Sequence, residues 1–441
     1  MTTVGGAATT AEKDRGGAGA GTDRRSLAVA LLVCLASFTA FWIAQRLAGV
    51  TLLDVMVYRA EGWTVRNGGD LYAMQATVSQ LPTTYPPFAA LLFTPLTLLG
   101  VPEMRTFATG FNLLLVVGVV YLCLRLVGVE RRPRRLTLAL WAAALLVWCE
   151  PVWTTLRYGQ INLLLALLVL WDLTRRADNR WAGIGIGIAA AIKLTPALFA
   201  VMLALAGIVQ AVRLARAGLR WWNPWLRQAA VATGTFLLAS VASWVVLPYD
   251  SKRFWTEMVF SASRPGQAED TANQSLRGVL ARLLHTPDPG VSYAAVAGLV
   301  AVAGLSVAVI SLLRARAAWA VTSCAVTALL ISPISWSHHW VWVLPVLILL
   351  AAEVHRTGSR RLRAATIGAA VLFFSFCLWW VPHAGTSTTD RPELDQNAWE
   401  FLLSAGYSLA GLAFLALAAQ RLRRPSEPPE PSERAQAVAN E

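Results

Sequence analysis

The sequence holds four side chains whose chemistry stands out, namely Asp54, Lys193, His338 and His339. Asp54 follows the first long apolar segment, so its carboxylate is expected where the chain leaves a membrane, close to Tyr58. A carboxylate in that position can act as a general base, because it can take the proton of a hydroxyl group. Ammonium and imidazole groups can bind a phosphate or transfer a proton. We therefore interpret Asp54 as a candidate base and the other three as candidate phosphate or proton-transfer groups.

Each of these residues also has a structural interpretation. Asp54 could cap a surface helix, and the histidine pair could simply lie at the membrane interface. Lys193 could extend its aliphatic stem to the membrane surface. Only three of the 38 basic residues are lysine, however, and a lysine inside an apolar run favours a compact charge for a phosphate group. Cys or acidic ligands do not flank the histidine pair, which disfavours a metal site, and the sequence leaves open which histidine is used.

The composition predicts an all-α polytopic membrane protein. The chain has 441 residues, of which 56% are hydrophobic and 14% charged, whereas soluble domains have about 25% charged residues. The formal net charge is +13, but the arginines cluster between apolar runs, which is typical of the charges that orient membrane helices. The sequence therefore predicts that the protein lies among membrane lipids and does not bind nucleic acid. No glycine-rich phosphate loop or metal-ligand spacing occurs, so no metal and no cofactor are predicted.

The apolar runs predict about twelve transmembrane helices with both termini in the cytoplasm. Residues 136–152 are expected to form one of these spans. Residues 86–100 are expected to be re-entrant or packed within the protein, because so short a stretch is marginal for crossing. The run 181–212 is expected to break near Pro196. Residues 55–66 are predicted to form an amphipathic helix. The predicted organisation is a disordered tail (1–25), a transmembrane catalytic domain (26–424) with large outer loops (48–88 and 249–290), and a second disordered tail (425–441).

The arginine clusters all fall on one side of the membrane if residues 86–100 do not cross it, which is the arrangement that the positive-inside rule favours. The opposite, outer side then collects Asp54, Lys193 and the histidine pair together with other polar loop residues. Ionisable groups close to a bilayer are costly and persist mainly for a function or in pairs. The further candidates for binding a donor phosphate or substrate are Arg59, Tyr58, Tyr85, Gln160, Asn162, Asn273, Gln274, Arg277 and Trp336.

Seven short motifs, in order, resemble glycosyltransferase family 87. They begin at Asp54 and continue with Gly69-Asp70-Leu71-Tyr72, Thr84-Tyr85-Pro86-Pro87-Phe88, Tyr158-Gly159-Gln160-Ile161-Asn162, Ala191-Ile192-Lys193-Leu194-Thr195-Pro196, Asn273-Gln274-Ser275-Leu276 and Ser335-Trp336-Ser337-His338-His339-Trp340. The resemblance covers roughly residues 27–420. It implies a GT-C fold, whose outer first loop carries short amphipathic helices, and a polyprenyl-phosphate sugar as the donor. It also implies that Asp54 is the general base and that His338 or His339 is the essential histidine.

The resemblance is greatest to the α-(1→2)-mannosyltransferases that extend phosphatidylinositol mannosides, lipomannan and lipoarabinomannan. Their donor, polyprenyl-phosphate mannose, is β-linked, so an α-linked product implies inversion at the anomeric carbon. The resemblance also implies that the reaction takes place on the periplasmic side of the plasma membrane. The partners implied are this lipid-linked donor and a glycolipid acceptor; the oligomeric state is not predicted. An arabinofuranosyl transferase of the same family is the alternative, although that branch lacks the Trp-Ser-His-His motif. A transporter or flippase is a third hypothesis, disfavoured because no internal repeat is visible.

Overall fold

A computed structural model describes residues 10–175, 179–261, 264, 266–383 and 390–423, with side chains from residue 24 onward. Helices account for almost all regular structure in these ranges. The helices of the first half are α1 (Thr10–Leu47), α2 (Leu53–Arg66), α3 (Pro87–Phe93), α4 (Val101–Leu126), α5 (Arg132–Leu146), α6 (Glu150–Tyr158), α7 (Asn162–Leu173), α8 (Ile184–Ile192) and α9 (Ala197–Arg216). Those of the second half are α10 (Pro224–Val246), α11 (Pro248–Thr256), α12 (Leu276–Leu283), α13 (Gly290–Leu313), α14 (Ala317–Ile331), α15 (Val343–Thr357), α16 (Arg360–Phe374), α17 (Ala398–Ser404) and α18 (Gly406–Leu422).

The remaining elements are short. A two-stranded antiparallel hairpin consists of β1 (Gln75–Ala76) and β2 (Leu81–Pro82), in which Gln75 pairs with Pro82 and Ala76 with Leu81. Single turns of 3-10 helix are found at Thr94–Leu98, Met258–Phe260, Ser337–Trp342, Cys377–Trp379 and Pro392–Asp395.

Six helices in the described ranges are long and apolar enough to cross a membrane, and the number rises to eight if each of two bent helix pairs is one span. The prediction of a helical, multi-pass membrane protein is confirmed. The count of twelve crossings, the GT-C topology and the cytoplasmic position of the termini stay predictions. Helix α1 begins at Thr10, inside the segment predicted as a tail, and its membrane-length part begins at Arg24. The predicted tail at 425–441 lies outside the described residues.

The segment predicted as the first outer loop contains short helices, and its position on the outer side stays a prediction. The amphipathic segment expected at 55–66 is α2, which buries Val55, Tyr58 and Glu61 on one face. Residues 86–100 form α3 and the following 3-10 turn, which are too short to count among the membrane-length helices. This loop therefore places a helix with one buried face beside the membrane-spanning bundle.

Contacts from the second outer loop hold the first in place. The guanidinium group of Arg253 lies 2.6 Å from the carboxylate of Asp70, and the Asp250 carboxylate accepts the amide proton of Leu71. Arg264 donates to the backbone carbonyl oxygens of Tyr72 and Thr83. The two segments are therefore joined to each other by side-chain contacts.

The predicted span at 136–152 is not one continuous helix. Helix α5 ends at Leu146, and α6 begins at Glu150 at an angle of 80° to it. The physical reason is Pro151, which lacks an amide proton and whose ring would clash with the carbonyl group four residues earlier in a continuous helix. Proline is instead well suited to the first turn of α6. After the bend, α6 packs against α2 and against the 3-10 helix Ser337–Trp342.

The predicted break in the run 181–212 is confirmed. Helix α8 ends at Ile192, Lys193 has an extended backbone, and α9 begins at Ala197 directly after Pro196. Because the chain leaves the helical conformation here, the side chain of Lys193 projects from a gap in an apolar segment.

Candidate active site

Asp54 lies in the first turn of α2, with its side chain partly buried. The side-chain amide of Gln160 donates a hydrogen bond from Nε2 to Oδ2 of Asp54 at 2.5 Å. Burial raises the pKa of Asp54 to about 6, although the hydrogen bond from Gln160 and the positive charge of Lys193 both act to lower it. A carboxyl group with this pKa is deprotonated at neutral pH and is still basic enough to accept a proton.

The orientation of Gln160 follows from two tyrosines. The hydroxyl groups of Tyr58 and Tyr85 donate to Oε1 of Gln160 at 2.8 and 3.1 Å, and the two hydroxyl oxygens are 3.0 Å apart. An amide whose oxygen faces two hydroxyl donors must direct its NH2 group to the other side. Gln160 therefore presents a donor to Asp54, and the assignment of its oxygen and nitrogen rests on this network.

Gly159 brings Gln160 close to α2. It ends α6 in the left-handed conformation with φ of 69°, which residues with a side chain seldom adopt. A Cβ atom at this position would lie 3.0 Å from Cβ of Val55, which is next to Asp54. The absence of a side chain thus permits the close approach of α6 to α2 that the hydrogen bond between Gln160 and Asp54 requires.

Lys193 forms the second half of the site. Its Nζ atom lies 2.9 Å from Nε2 of His339 and 3.3 Å from Oδ1 of Asn162, and 5.5 Å from the centre of the Tyr85 ring. An ammonium group can only donate, so Nε2 of His339 accepts and the imidazole is neutral in this arrangement, with its proton on Nδ1. The positive charge is therefore on Lys193.

The rings of the two histidines touch edge to face, with centres 4.8 Å apart, but their other neighbours differ. His338 is buried, its ring packs edge-on against Tyr158, and its backbone carbonyl accepts hydrogen bonds from Thr155 and Asn162 at 2.8 and 3.0 Å. His339 instead lines a cavity together with Lys193 and Asn162. Of the two, His339 is thus the one placed to contact a ligand.

The comparison with family models decides the family. The model described as glycosyltransferase family 87 matches residues 84–333, which include Tyr85, Gln160, Asn162 and Lys193. The chain belongs to glycosyltransferase family 87. Asp54 and the histidine pair lie outside the matched range. The roles suggested for them therefore rest on the geometry described above and not on the match.

Known relatives of this glycosyltransferase support the same assignment. It is 31% identical over 388 residues to a polyprenol-phosphate-mannose-dependent α-(1-2)-phosphatidylinositol mannoside mannosyltransferase of Mycobacterium tuberculosis, covering 81% of this chain and 87% of that protein. It is also 31% identical over 398 residues to a polyprenol-phosphate-mannose-dependent α-(1-2)-phosphatidylinositol pentamannoside mannosyltransferase of the same species, covering 88% and 86%. Among solved structures, ArnT from Cupriavidus metallidurans bound to undecaprenyl phosphate matches with a TM-score of 0.40 and 16% identity, covering 90% of this chain and 78% of that one.

Five predicted binding residues of the family 87 enzyme lie in other contacts. Arg59 donates to the carbonyl of Leu99 at 3.2 Å, and Arg277 lies 3.7 Å from the carboxylate of Asp288. The side chain of Asn273 forms hydrogen bonds with the backbone of Ala268 and Ser335, and Asn273 pairs with Trp336 through a β-bridge. The side chain of Gln274 forms hydrogen bonds with the backbone of Thr271, Ser404 and Tyr407. Their assignment as substrate-binding residues stays a prediction.

Two carboxyl groups near the site were not among the sequence-based candidates for binding or catalysis. Glu61 is fully buried seven residues after Asp54, on the same side of α2, and burial together with the charge of Asp54 raises its pKa to about 8, against a lowering influence of Thr83. The spacing of two helical turns is the signal that could have identified it.

Glu150, the first residue of α6, anchors the segment that carries the histidines. Its carboxylate accepts hydrogen bonds from Ser337, Thr154, Trp379 and Tyr407 at 2.8 to 3.1 Å. Ser337 directly precedes the histidine pair, so this contact fixes the 3-10 turn against α6.

Within the described ranges, no group of three His, Cys, Asp or Glu side chains is placed to hold a metal ion. The prediction that transfer needs no metal stays a prediction, and assays with and without EDTA test it.

Proposed function

We propose that this protein is an inverting mannosyltransferase that moves mannose from polyprenyl-phosphate mannose to a mannosylated phosphatidylinositol glycolipid in α-(1→2) linkage. The names of the two relatives support the donor and the linkage. The proposal rests on the observation that two residues of one short turn contact a candidate base, Asp54, and a cation, Lys193. Gln160 contacts the first and Asn162 the second.

This arrangement suits a direct displacement. The acceptor hydroxyl oxygen attacks the anomeric carbon as Asp54 takes the hydroxyl proton, and the bond between that carbon and the phosphate oxygen breaks. The phosphate leaves with the bonding electrons, and polyprenyl phosphate is released. Lys193 stabilises the negative charge that develops on the phosphate, because a fixed cation in a water-poor site interacts strongly with that charge.

We assign the reaction to the outer, periplasmic face of the plasma membrane. Helix α9 begins four residues after Lys193 and ends with Arg213 and Arg216. The candidate site and a basic cluster therefore lie at opposite ends of one membrane-length helix. Basic residues favour the cytoplasmic side, which supports an outer position for the site.

The acceptor is less closely defined than the donor. The two relatives of Mycobacterium tuberculosis differ in their named acceptor, a phosphatidylinositol mannoside in one case and the pentamannoside in the other, and both are 31% identical to this chain. The test therefore offers acceptors that carry different numbers of mannose residues.

The decisive experiment measures transfer by the purified protein from polyprenyl-phosphate mannose to these acceptors, with products identified by mass and linkage analysis. Asp54→Asn is expected to lower kcat by about 10³-fold, because the amide cannot take the proton. Asp395→Asn, at an exposed position of the outer side, is the matched control and should behave as the wild type. Undiminished transfer by Asp54→Asn would exclude its role as the base, and preference of the wild type for polyprenyl-phosphate arabinofuranose would exclude mannose.

A further inference from the structure

Ser335 carries a buried hydroxyl group that has no hydrogen-bond partner. The residue is fully buried and lines the cavity of Lys193 and His339. Its Oγ atom forms no hydrogen bond with any residue that the structure describes. A buried hydroxyl group without a partner destabilises a protein, so such groups are few and each one calls for a ligand, a water or a function. The hydroxyl of Ser335 is therefore available to a molecule that enters the cavity.

The backbone of Ser335 is held on both sides by a segment of the second half of the chain. Its amide donates to Oδ1 of Asn273 at 2.9 Å, and its carbonyl oxygen accepts from the amide of Gln274 at 2.7 Å. The hydroxyl of Ser275 donates to the carbonyl oxygen of Pro333 at 3.2 Å. Because these contacts hold the backbone in place, the hydroxyl of Ser335 changes its direction only by rotation about the bond between Cα and Cβ.

The other polar groups of this cavity show what Ser335 can act together with. Asn162 accepts from Lys193 through Oδ1 and donates to the carbonyl oxygen of His338, so its side-chain amide is already in use. Lys193 has three ammonium protons, and Asn162 and His339 accept two of them. The third ammonium proton and the hydroxyl proton of Ser335 can therefore be donated to the same ligand. Two donors at the wall of one cavity suit an anion.

The size of the cavity indicates which part of a ligand it holds. Its volume of about 40 Å3 corresponds to about three water-sized groups. The oxygen atoms of one phosphate group fill such a space, whereas a whole sugar ring is much larger. The cavity therefore suits the phosphate of a lipid-linked sugar, with the sugar outside it.

We propose that Ser335 donates a hydrogen bond to the phosphate group of the lipid-linked donor, beside Lys193. The proposal rests on the proposed function and adds a phosphate-binding residue to it. A hydroxyl that donates to a charged oxygen forms a shorter and stronger hydrogen bond than one that donates to a neutral oxygen. Asn273 is then a positioning residue, because its side chain holds the amide of Ser335.

Ser335→Ala tests the proposal by a binding measurement that needs no acceptor. Isothermal titration of the purified protein with farnesyl phosphate, a short polyprenyl phosphate, should give a Kd about 10- to 100-fold higher than that of the wild type. This is the effect of losing a hydrogen bond to a charged group. The melting temperature without ligand should not fall, since the variant removes a buried hydroxyl that no described residue satisfies.

Ser323→Ala is the matched control. Ser323 is also fully buried, and its hydroxyl likewise has no hydrogen-bond partner among the described residues. It lies in α14 and does not line the cavity, so its variant should bind farnesyl phosphate with the Kd of the wild type. Equal Kd values for Ser335→Ala and Ser323→Ala would overturn the proposal.

Two further ligands distinguish a contact with the phosphate from a contact with the sugar. Ser335→Ala should weaken the binding of farnesyl-phosphate mannose by the same factor as that of farnesyl phosphate. It should not change the binding of farnesol, which has no phosphate group. A loss of affinity confined to the ligand that carries mannose would overturn the proposal, because the hydroxyl would then contact the sugar.

Asn273→Ala tests the positioning of Ser335. It should raise the Kd for farnesyl phosphate in the wild-type background and cause no further rise in Ser335→Ala, because both changes act through one hydroxyl group. Additive losses would show that Asn273 does not act through Ser335. These binding results do not depend on transfer and leave the proposed function intact. Failure of the wild type to transfer mannose would instead refute the proposed function.

Discussion

The two ends of the candidate site have different contacts. Asp54 accepts a hydrogen bond from the side-chain amide of Gln160. Lys193 lies beside the imidazole of His339 and the amide oxygen of Asn162. The elements that supply the two groups also differ. Asp54 comes from the short amphipathic helix α2, and Lys193 from a gap between two apolar helices. The base end thus consists of groups that adjust a proton affinity, and the cation end provides a fixed charge. Substitutions at the two ends should therefore change different kinetic quantities.

Lys193→Met should have the largest effect of the substitutions that test this comparison. Removal of a group that stabilises developing negative charge typically lowers kcat by about 10²- to 10³-fold. Methionine has a similar length and no charge, so the packing in the gap is retained. Lys252→Met, at an exposed lysine of α11, is the control. A kcat within a few-fold of the wild type would show that the charge of Lys193 does not act on the leaving group.

Gln160→Leu should come next and should change the pH dependence as well as the rate. Loss of a positioned contact to the base is expected to lower kcat/KM by about 10- to 100-fold. The base works only when deprotonated, so activity of the wild type should fall as the pH drops through about 6, the pKa of Asp54. The hydrogen bond from Gln160 lowers that pKa, and its loss should move the acidic limb of the pH profile to higher pH.

A pH profile of kcat/KM for both proteins, with Gln75→Leu at an exposed site as the control, measures this shift. An acidic limb that stays in place or moves to lower pH would contradict the role of Gln160 as a donor to Asp54.

His339→Leu should have the smallest effect of the three. It removes the acceptor of one hydrogen bond from a charged group, which corresponds to about tenfold in kcat. His338→Leu should affect kcat less and thermal stability more, because His338 is buried and its described hydrogen bonds go through its backbone carbonyl. Rates and melting temperatures of both variants measure this difference. The reverse order of the two rate effects would show that the ring of His338 takes part in the reaction.

The sequence predicted those structural features that depend on residues close together in the chain. Pro196 marks the break that exposes Lys193, and the spacing of apolar residues after Asp54 predicts α2. The bend before α6 was missed, although Pro151 provides the signal, because the surrounding apolar run resembles a continuous span.

Contacts between distant residues could not be predicted in the same way. Gln160 was expected to bind substrate, but its partners are Asp54 and two tyrosines up to 106 residues away. Gln274 bonds Ser404, 130 residues later. A single sequence shows which residues are polar, but the partner that satisfies each one depends on the tertiary fold. For the same reason it could not distinguish His338 from His339, which are adjacent in the chain and face different neighbours.

The contact between Lys193 and His339 has a consequence for biosynthesis. The two residues are 146 positions apart, so Lys193 is synthesised long before its partner. Between them lie α9, α10 and α13, three helices of membrane length that are synthesised before the turn that carries His339. Until then the nascent chain holds Lys193 without the segment that completes its cavity. The cavity beside Lys193 can therefore form only after the segment that carries His339 has been synthesised.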